Sequence, residues 1–350
     1  MKHKNFYLCT LLICLGACTH RIHDPIPQDQ LLLKSPQREK TALELYQRAQ
    51  AAETFAQASQ LYTTITTKYA ETSSAPKARH MLGNQLIRKG KYVEGIQQLQ
   101  FISQNYPEYP AYAQVIEAQF QAAQNYVKFQ ERQSSKCFTW FKDATPAIAF
   151  FQNIADAAPY TDYAPRSLYY VAKLEQKYGK KVKAIEALDQ LIENYPSHAL
   201  IPKVQVLKAE IYLSFVLSPH NDQGATQKAI QCYEKFFITF DKQDLSKKLR
   251  QRAKQGLERA QNLFAQSRLV LGDFFLYKRH YSDGAITFYT EAQMLAPSSE
   301  AAAQAHQRID DIYQKKPIPC NWADKMFGIF QHLPPSALPQ AFEQSASKPQ

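Results

Sequence analysis

The sequence predicts an all-α chain, a solenoid of about six helical hairpins. Three observations predict it. A tail motif recurs as Lys68-Tyr69-Ala70, Asn105-Tyr106-Pro107, Ala157-Ala158-Pro159, Asn194-Tyr195-Pro196, Thr239-Phe240-Asp241 and Leu295-Ala296-Pro297. Twelve residues before the last position of each tail stands a small residue: Ala58, Gly95, Ala147, Ala184, Ala229 and Ala285. Four residues beyond the small one comes Tyr62, Leu99, Phe151, Leu188, Tyr233 or Tyr289, and seven beyond it Ile65, Ile102, Ile154, Leu191, Phe236 or Ala292. Offsets of 0, 4, 7 and 11 in these registers trace one stripe of an α-helix. The small residue permits close helix approach, and proline stops the helix because it cannot extend the hydrogen-bond ladder.

The first element is not a hairpin. Lys2 and Lys4 precede an apolar run from Phe6 to Leu15. That run is too short for a bilayer core, which needs about 20 apolar residues. Residues 1–17 therefore read as a signal peptide. Its end, Leu15-Gly16-Ala17-Cys18, resembles a bacterial lipobox. The resemblance implies a diacylglycerol on the Cys18 thiol, cleavage before it, and acylation of the new amine, palmitate being a usual chain. Thr19 follows rather than Asp, so sorting to the periplasmic face of the outer membrane is expected. Several acyl chains would anchor the chain stably. Residues 18–37, with Pro25, Pro27 and Pro36, read as the lipidated N-terminus and its linker.

The hairpins follow, repeats one to four over 38–204 and two further ones over 205–314. Each stripe helix needs a partner before it. Thirteen residues after a tail stand Gly83, Ala172 and Ala209, again small, with Phe120 breaking the pattern in the third repeat. Leu82-Gly83 followed by Tyr92-Val93-Glu94-Gly95-Ile96 shows both helices of one hairpin. Leu271-Gly272 followed by Tyr281-Ser282-Asp283-Gly284-Ala285-Ile286 repeats it with one extra residue in the turn. This pairing resembles the tetratricopeptide (TPR) repeat, nominally about 34 residues. The tails here are spaced by 37, 52, 37, 45 and 56, so several repeats carry longer loops or helices. One hairpin cannot bury both its faces. Stacked hairpins share a core and are expected to form a superhelix with a concave side. The last segment, 315–350, is rich in proline, with Trp322, Met326, Ile329, Phe330 and Leu333 as a short amphipathic stripe expected to cap the final repeat.

Composition narrows the function. At 45% hydrophobic and 21% charged residues over 350, the chain is neither disordered nor fibrous. Ten glycines argue against a Gly-rich nucleotide-binding enzyme. The net charge is 42 − 31 = +11, and +9 once the signal with its two lysines is gone. Export removes nucleic acid as a partner. The nine histidines are scattered without a His-Glu-x-x-His motif, and there is no Gly-x-Ser-x-Gly and no phosphate loop. No catalytic residue, metal, cofactor or small-molecule substrate is expected. Beyond the signal, Cys137, Cys232 and Cys320 allow one disulfide whose pairing the sequence does not choose.

An exported lipoprotein with tails such as Asn105-Tyr106-Pro107-Glu108-Tyr109-Pro110 and Pro159-Tyr160-Thr161-Asp162-Tyr163-Ala164 resembles the BamD family of outer-membrane assembly lipoproteins. The 52-residue spacing carries Phe138, Trp140 and Phe141 where that family has an aromatic-containing insertion. The likeness covers about 38–204, four repeats, and repeats five and six exceed it. It implies a scaffold: the N-terminal repeats receive C-terminal segments of unfolded outer-membrane proteins, and the C-terminal repeats dock on the periplasmic domains of a BamA-like barrel protein. The alternative is a periplasmic TPR adaptor lipoprotein for other envelope or cell-wall machinery.

The first helix of each hairpin is expected to line the concave side. Repeat two offers Lys77, His80, Asn84 and Arg88 there, and repeat four Arg166, Tyr169, Lys173 and Lys177, each set on one face. Such a cationic, aromatic groove suits an extended peptide bearing a carboxylate. Lys247, Arg250 and Lys254 share a further face, and Phe138, Trp140 and Phe141 are apolar enough to anchor a partner.

Overall fold

The computed structural model describes residues 35–134, 145–220, 223–241 and 245–316. Among these residues there are thirteen α-helices, one π-helical turn and no strand. In chain order they are α1 (Pro36–Gln50), α2 (Phe55–Lys68), α3 (Ser74–Arg88), α4 (Tyr92–Asn105), α5 (Tyr112–Ser134), α6 (Thr145–Ala157), α7 (Tyr163–Lys177), α8 (Lys181–Asn194), α9 (Ile201–Leu213), α10 (Gly224–Phe240), α11 (Lys247–Asp273), α12 (Ser282–Leu295) and α13 (Glu300–Tyr313). They pair in sequence as six hairpins, with α13 following the last. The chain divides into two compact units, Met1–Ala164 and Pro165–Gln350.

The eighteen positions at offsets 0, 4 and 7 of the predicted stripe are all buried, from Ala58, Tyr62 and Ile65 in α2 to Ala285, Tyr289 and Ala292 in α12, while at offset 11 Tyr69, Tyr106 and Tyr195 are half-buried. The reason for small residues is visible at α3 and α4. A Cβ on Gly83 would lie 3.0 Å from the Gly95 carbonyl oxygen, and one on Gly95 would lie 2.8 Å from that of Gly83. The two backbones cross in contact.

The tail motif builds one recurring loop. In each of the first four tails a turn runs from the last stripe position to a residue three further on. The Thr72, Tyr109, Thr161 and His198 amides each donate at 3.1 Å to the carbonyls of Tyr69, Tyr106, Ala158 and Tyr195. A second turn follows at once, ending in the amides of Ala75, Tyr112, Ala164 and Ile201. The fifth tail differs. There Arg250, near the start of α11, donates from its guanidinium to the carbonyls of Phe240 (2.8 Å) and Asp241 (2.7 Å), capping α10 with a cation where the helix dipole favours one.

Within hairpins two and four the helices are joined through Gly90 (φ 79) and Gly179 (φ 78), in the left-handed region where glycine carries no Cβ penalty. The next amide reaches back into the helix, Lys91 to the Leu86 carbonyl (3.0 Å) and Lys180 to that of Glu175 (2.8 Å). In hairpin six the corresponding residue is His280, φ 50. The extra residue of that turn is absorbed as the π-helical stretch Phe274–Lys278, where the Arg279 amide bonds to the Phe274 carbonyl.

The wide tail spacings are partly helix. α5 runs for 23 residues and α11 for 27, against 13 to 17 for the others. In the third repeat Phe120, the exception to the small-residue rule, packs on Phe151 and Tyr163 at ring distances of 5.7 and 5.3 Å. After hairpin six, α13 buries Ala301, Ala302 and Ala305 against Ala285, Tyr289 and Ala292.

Candidate functional site

In the first unit, α3 presents Lys77 and Arg88 exposed, and His80 and Asn84 half-buried between them. The four share one helix face. His80 does not serve as a cation at neutral pH. Its ring stands edge-on to Tyr109 at 5.9 Å, its Nδ1 lies 3.3 Å from the Tyr109 hydroxyl, and burial pulls its pKa below the ordinary 6.5. The imidazole is a neutral hydrogen-bonding group, so the positive charge of this face comes from its two ends.

Arg79, absent from the sequence-level candidates, is buried instead. Its guanidinium donates to the Thr66 carbonyl (3.1 Å) and to Gln98 Oε1 (2.9 Å) and lies 3.6 Å over the Phe101 ring. Desolvation lowers its pKa. It ties α2, α3 and α4 together. Its place on the stripe between Ala75 and Gly83 is the signal that marks it as interior.

Beside this face lies a cavity of about 730 Å³ whose walls include Lys77, Pro76, Tyr106, Pro107, Tyr109 and Pro110. α1 closes it. Arg38 pairs with the fully enclosed Glu71 carboxylate at 2.6 Å, donates to the Lys68 carbonyl, and stacks over Tyr69 at 4.9 Å. Glu39 accepts from the Ser73 amide at 3.0 Å and from its hydroxyl. The first helix is therefore fastened to the first tail loop at two adjacent residues.

In the second unit, α7 presents Arg166, Lys173 and Lys177 exposed around a half-buried Tyr169. Two ammonium groups sit over the Tyr169 ring, Lys173 at 5.9 Å and Lys203 of α9 at 5.0 Å. Arg252 of α11 forms a two-pronged ion pair with Glu210 of α9, both contacts at 2.5 Å. Burial raises the Tyr169 pKa, while Lys173 and Arg252 pull it down and Glu210 pushes it up. The first helices of hairpins four, five and six thus converge on one polar face. Lys203, Glu210 and Arg252 were not among the sequence candidates. Lys173 follows Tyr169 by one helical turn and is readable locally, whereas the other three arrive from distant helices.

This face offers a π surface between cations and charged ends that accept a carboxylate or the backbone of an extended segment. Among the described residues no group of three His, Cys, Asp or Glu could hold a metal ion, and no helix is long and apolar enough to cross a membrane.

The remaining candidates are dispersed or out of view. Lys247 and Lys254 are exposed on α11, Lys254 near Glu258 at 3.9 Å, and Arg250 is engaged in capping α10. Cys18, the insertion residues Phe138, Trp140 and Phe141, the stripe from Trp322 to Leu333, and Cys137 and Cys320 lie outside the described residues. Cys232 forms no disulfide among the described residues, and burial pushes its thiol pKa up.

No family model matches this chain, and no curated protein matches it. Solved structures similar to it include the TPR domain of P58(IPK), at 15% identity over 79% of each chain with a TM-score of 0.34. A tetratricopeptide repeat protein from Parabacteroides merdae is 10% identical over 78% of this chain and 99% of its own, with a TM-score of 0.31. MamA is 13% identical over 70% of this chain and 98% of its own, with a TM-score of 0.31. At these scores the likeness carries no argument, and the TPR-like character stands on the chain's own hairpins.

Proposed function

We propose that this chain is a non-enzymatic scaffold lipoprotein of the outer-membrane β-barrel assembly machinery. It is held on the periplasmic face of the outer membrane by lipid on Cys18. It receives unfolded segments of outer-membrane proteins and docks on the periplasmic domains of a BamA-like barrel protein. The observation that carries the scaffold reading is the Tyr169 ring held between Lys173 and Lys203, beside exposed Arg166, on a first helix of a hairpin. The lipobox, the tail motifs and the position of the 52-residue spacing support the assignment to that machinery.

Hairpins five and six favour a second reading, because they exceed the stretch that resembles the family. On it the chain is a periplasmic adaptor for other envelope or cell-wall machinery. Affinity purification of the tagged lipoprotein from detergent-solubilised envelopes, after mild cross-linking, separates the two. A stoichiometric BamA-like barrel supports the first, and its absence with cell-wall proteins enriched supports the second. For the face itself, Arg166→Glu with Lys173→Glu should weaken peptide binding in a salt-sensitive way. Unchanged binding would remove the face from the reading.

A further inference from the structure

Between hairpin five and α11 lies a cavity of about 870 Å³, which shares Glu210 and Arg252 with the face above and is otherwise lined by residues outside that face. Tyr233 forms part of its wall. This residue is 0% exposed and its hydroxyl has no hydrogen-bond partner. The hydroxyl sits against Gly256, another wall residue, only 2.3 Å from where a Cβ would stand. Side-chain bulk at 256 would close the approach. A buried hydroxyl left unpaired costs about 1–3 kcal/mol.

The chain shows what a satisfied version looks like. Tyr289 occupies the same register in hairpin six, is equally buried, and donates to Asp273 at 2.7 Å. Tyr233 feels the Glu210 carboxylate, but both oxygens of Glu210 are held by Arg252 and neither accepts from the phenol. Around the cavity the charges cancel except one. Arg252 is paired with Glu210, and Glu258 has Lys254 at 3.9 Å. Arg259 is exposed and makes no salt bridge among the described residues. Exposed Asn262 and Gln266 add amides, and Leu217, 87% exposed, adds an apolar rim.

We infer that this cavity binds the carboxylate of an extended peptide, with Tyr233 donating from the floor, Arg259 supplying the countercharge, and an adjoining apolar side chain resting on Leu217. The carboxylate comes from a free C-terminus or an acidic side chain. The inference rests on the scaffold reading for the nature of its ligand.

Fluorescent Gly-Ser-Ala-Gln-Leu, with its free carboxylate, is titrated onto the full exported chain carrying Cys18→Ala. Two further probes are the same peptide as a carboxamide and a carboxamide peptide with Glu in place of Gln. Tyr233→Phe and Arg259→Gln should each weaken binding about tenfold, the size of a charge-assisted hydrogen bond. Tyr233→Phe should keep or raise the melting temperature. Loss confined to the free acid identifies the terminus as the source, and equal loss for the Glu peptide admits the side chain. If no carboxylate probe binds, or both variants bind as the parent does, the inference is overturned. The groove variant Arg166→Glu with Lys173→Glu is run alongside. Should it bind normally while Tyr233→Phe does not, the groove reading fails and the cavity stands. The reverse pattern sinks the cavity and keeps the groove.

Discussion

Hairpins five and six place a tyrosine in the same register and treat it oppositely. Tyr289 is enclosed by α13, with its hydroxyl held by Asp273, which Arg308 of α13 also approaches at 3.5 Å. Tyr233 is enclosed as fully, yet its hydroxyl ends beside a glycine and a cavity. One ring position thus has two settings, a hydroxyl bonded to a carboxylate in hairpin six and a buried, unpaired one in hairpin five. The hydrophobic ring sets the register. What lies beyond the oxygen sets the role.

The coarsest way to break the comparison is to remove the rings. Tyr289→Ala and Tyr233→Ala should each cost about 3–5 kcal/mol in denaturant unfolding, because both rings are wholly buried and both truncations leave a cavity. Tyr289→Ala should cost the more of the two, because it also removes the bond to Asp273, and equal losses would show that this hydroxyl adds nothing to the ring. A smaller effect is expected from Gly272→Ala. The new Cβ would stand 2.4 Å from the Tyr289 ring. Overpacking of about 1–3 kcal/mol should exceed the gain of about 1 kcal/mol in helix propensity. A more stable variant would show that the ring of Tyr289 is free to shift.

Deleting only the hydroxyls sharpens the contrast. Tyr289→Phe should lose about 1.5–3 kcal/mol with its bond to a carboxylate, and Tyr233→Phe should lose nothing. Alkali tests the same pair. Burial raises the pKa of both phenols, and for Tyr289 the bond to Asp273 adds to it. A raised folded pKa means stability that is whole below the unfolded value near 10 and declines as pH rises past it. Unfolding followed from neutral pH upward should show that decline, and each Phe variant should flatten it. The smallest effect belongs to the neighbouring turn. His280 holds a left-handed conformation, φ 50, that glycine adopts without strain. His280→Gly should raise stability by up to about 1 kcal/mol, read as a shift in melting temperature.

The repeating stripe was legible because it is local: every helix announces its inner face through residues a turn apart. The same locality made Tyr169 and Lys173 legible as neighbours. What escaped was set by distance in sequence. Arg252 and Glu210 meet across 42 positions. Lys203 reaches Tyr169 from another helix. Arg250 read as a surface cation, yet it caps α10, and Arg79, which was no candidate, is buried over Phe101. The additional residue of the sixth turn was countable in the sequence, but only the backbone shows that a π turn absorbs it. Gly256 was missed because α11 is longer than a standard repeat helix and brings it opposite Tyr233 outside the usual register.

The crossing of Gly83 and Gly95 bears on how this sequence can drift. A Cβ on Gly95 would stand 2.8 Å from the Gly83 carbonyl oxygen and 2.7 Å from Ile87, so something must shift, and one on Gly83 would meet the Gly95 carbonyl oxygen at a tight 3.0 Å. Replacing either one first pushes the helices apart, and replacing the second afterwards pushes them further. No order of single steps leads from this pair to a bulkier one at the same helix separation. Hairpin two is therefore a point where the sequence is constrained by the geometry of its backbone crossing.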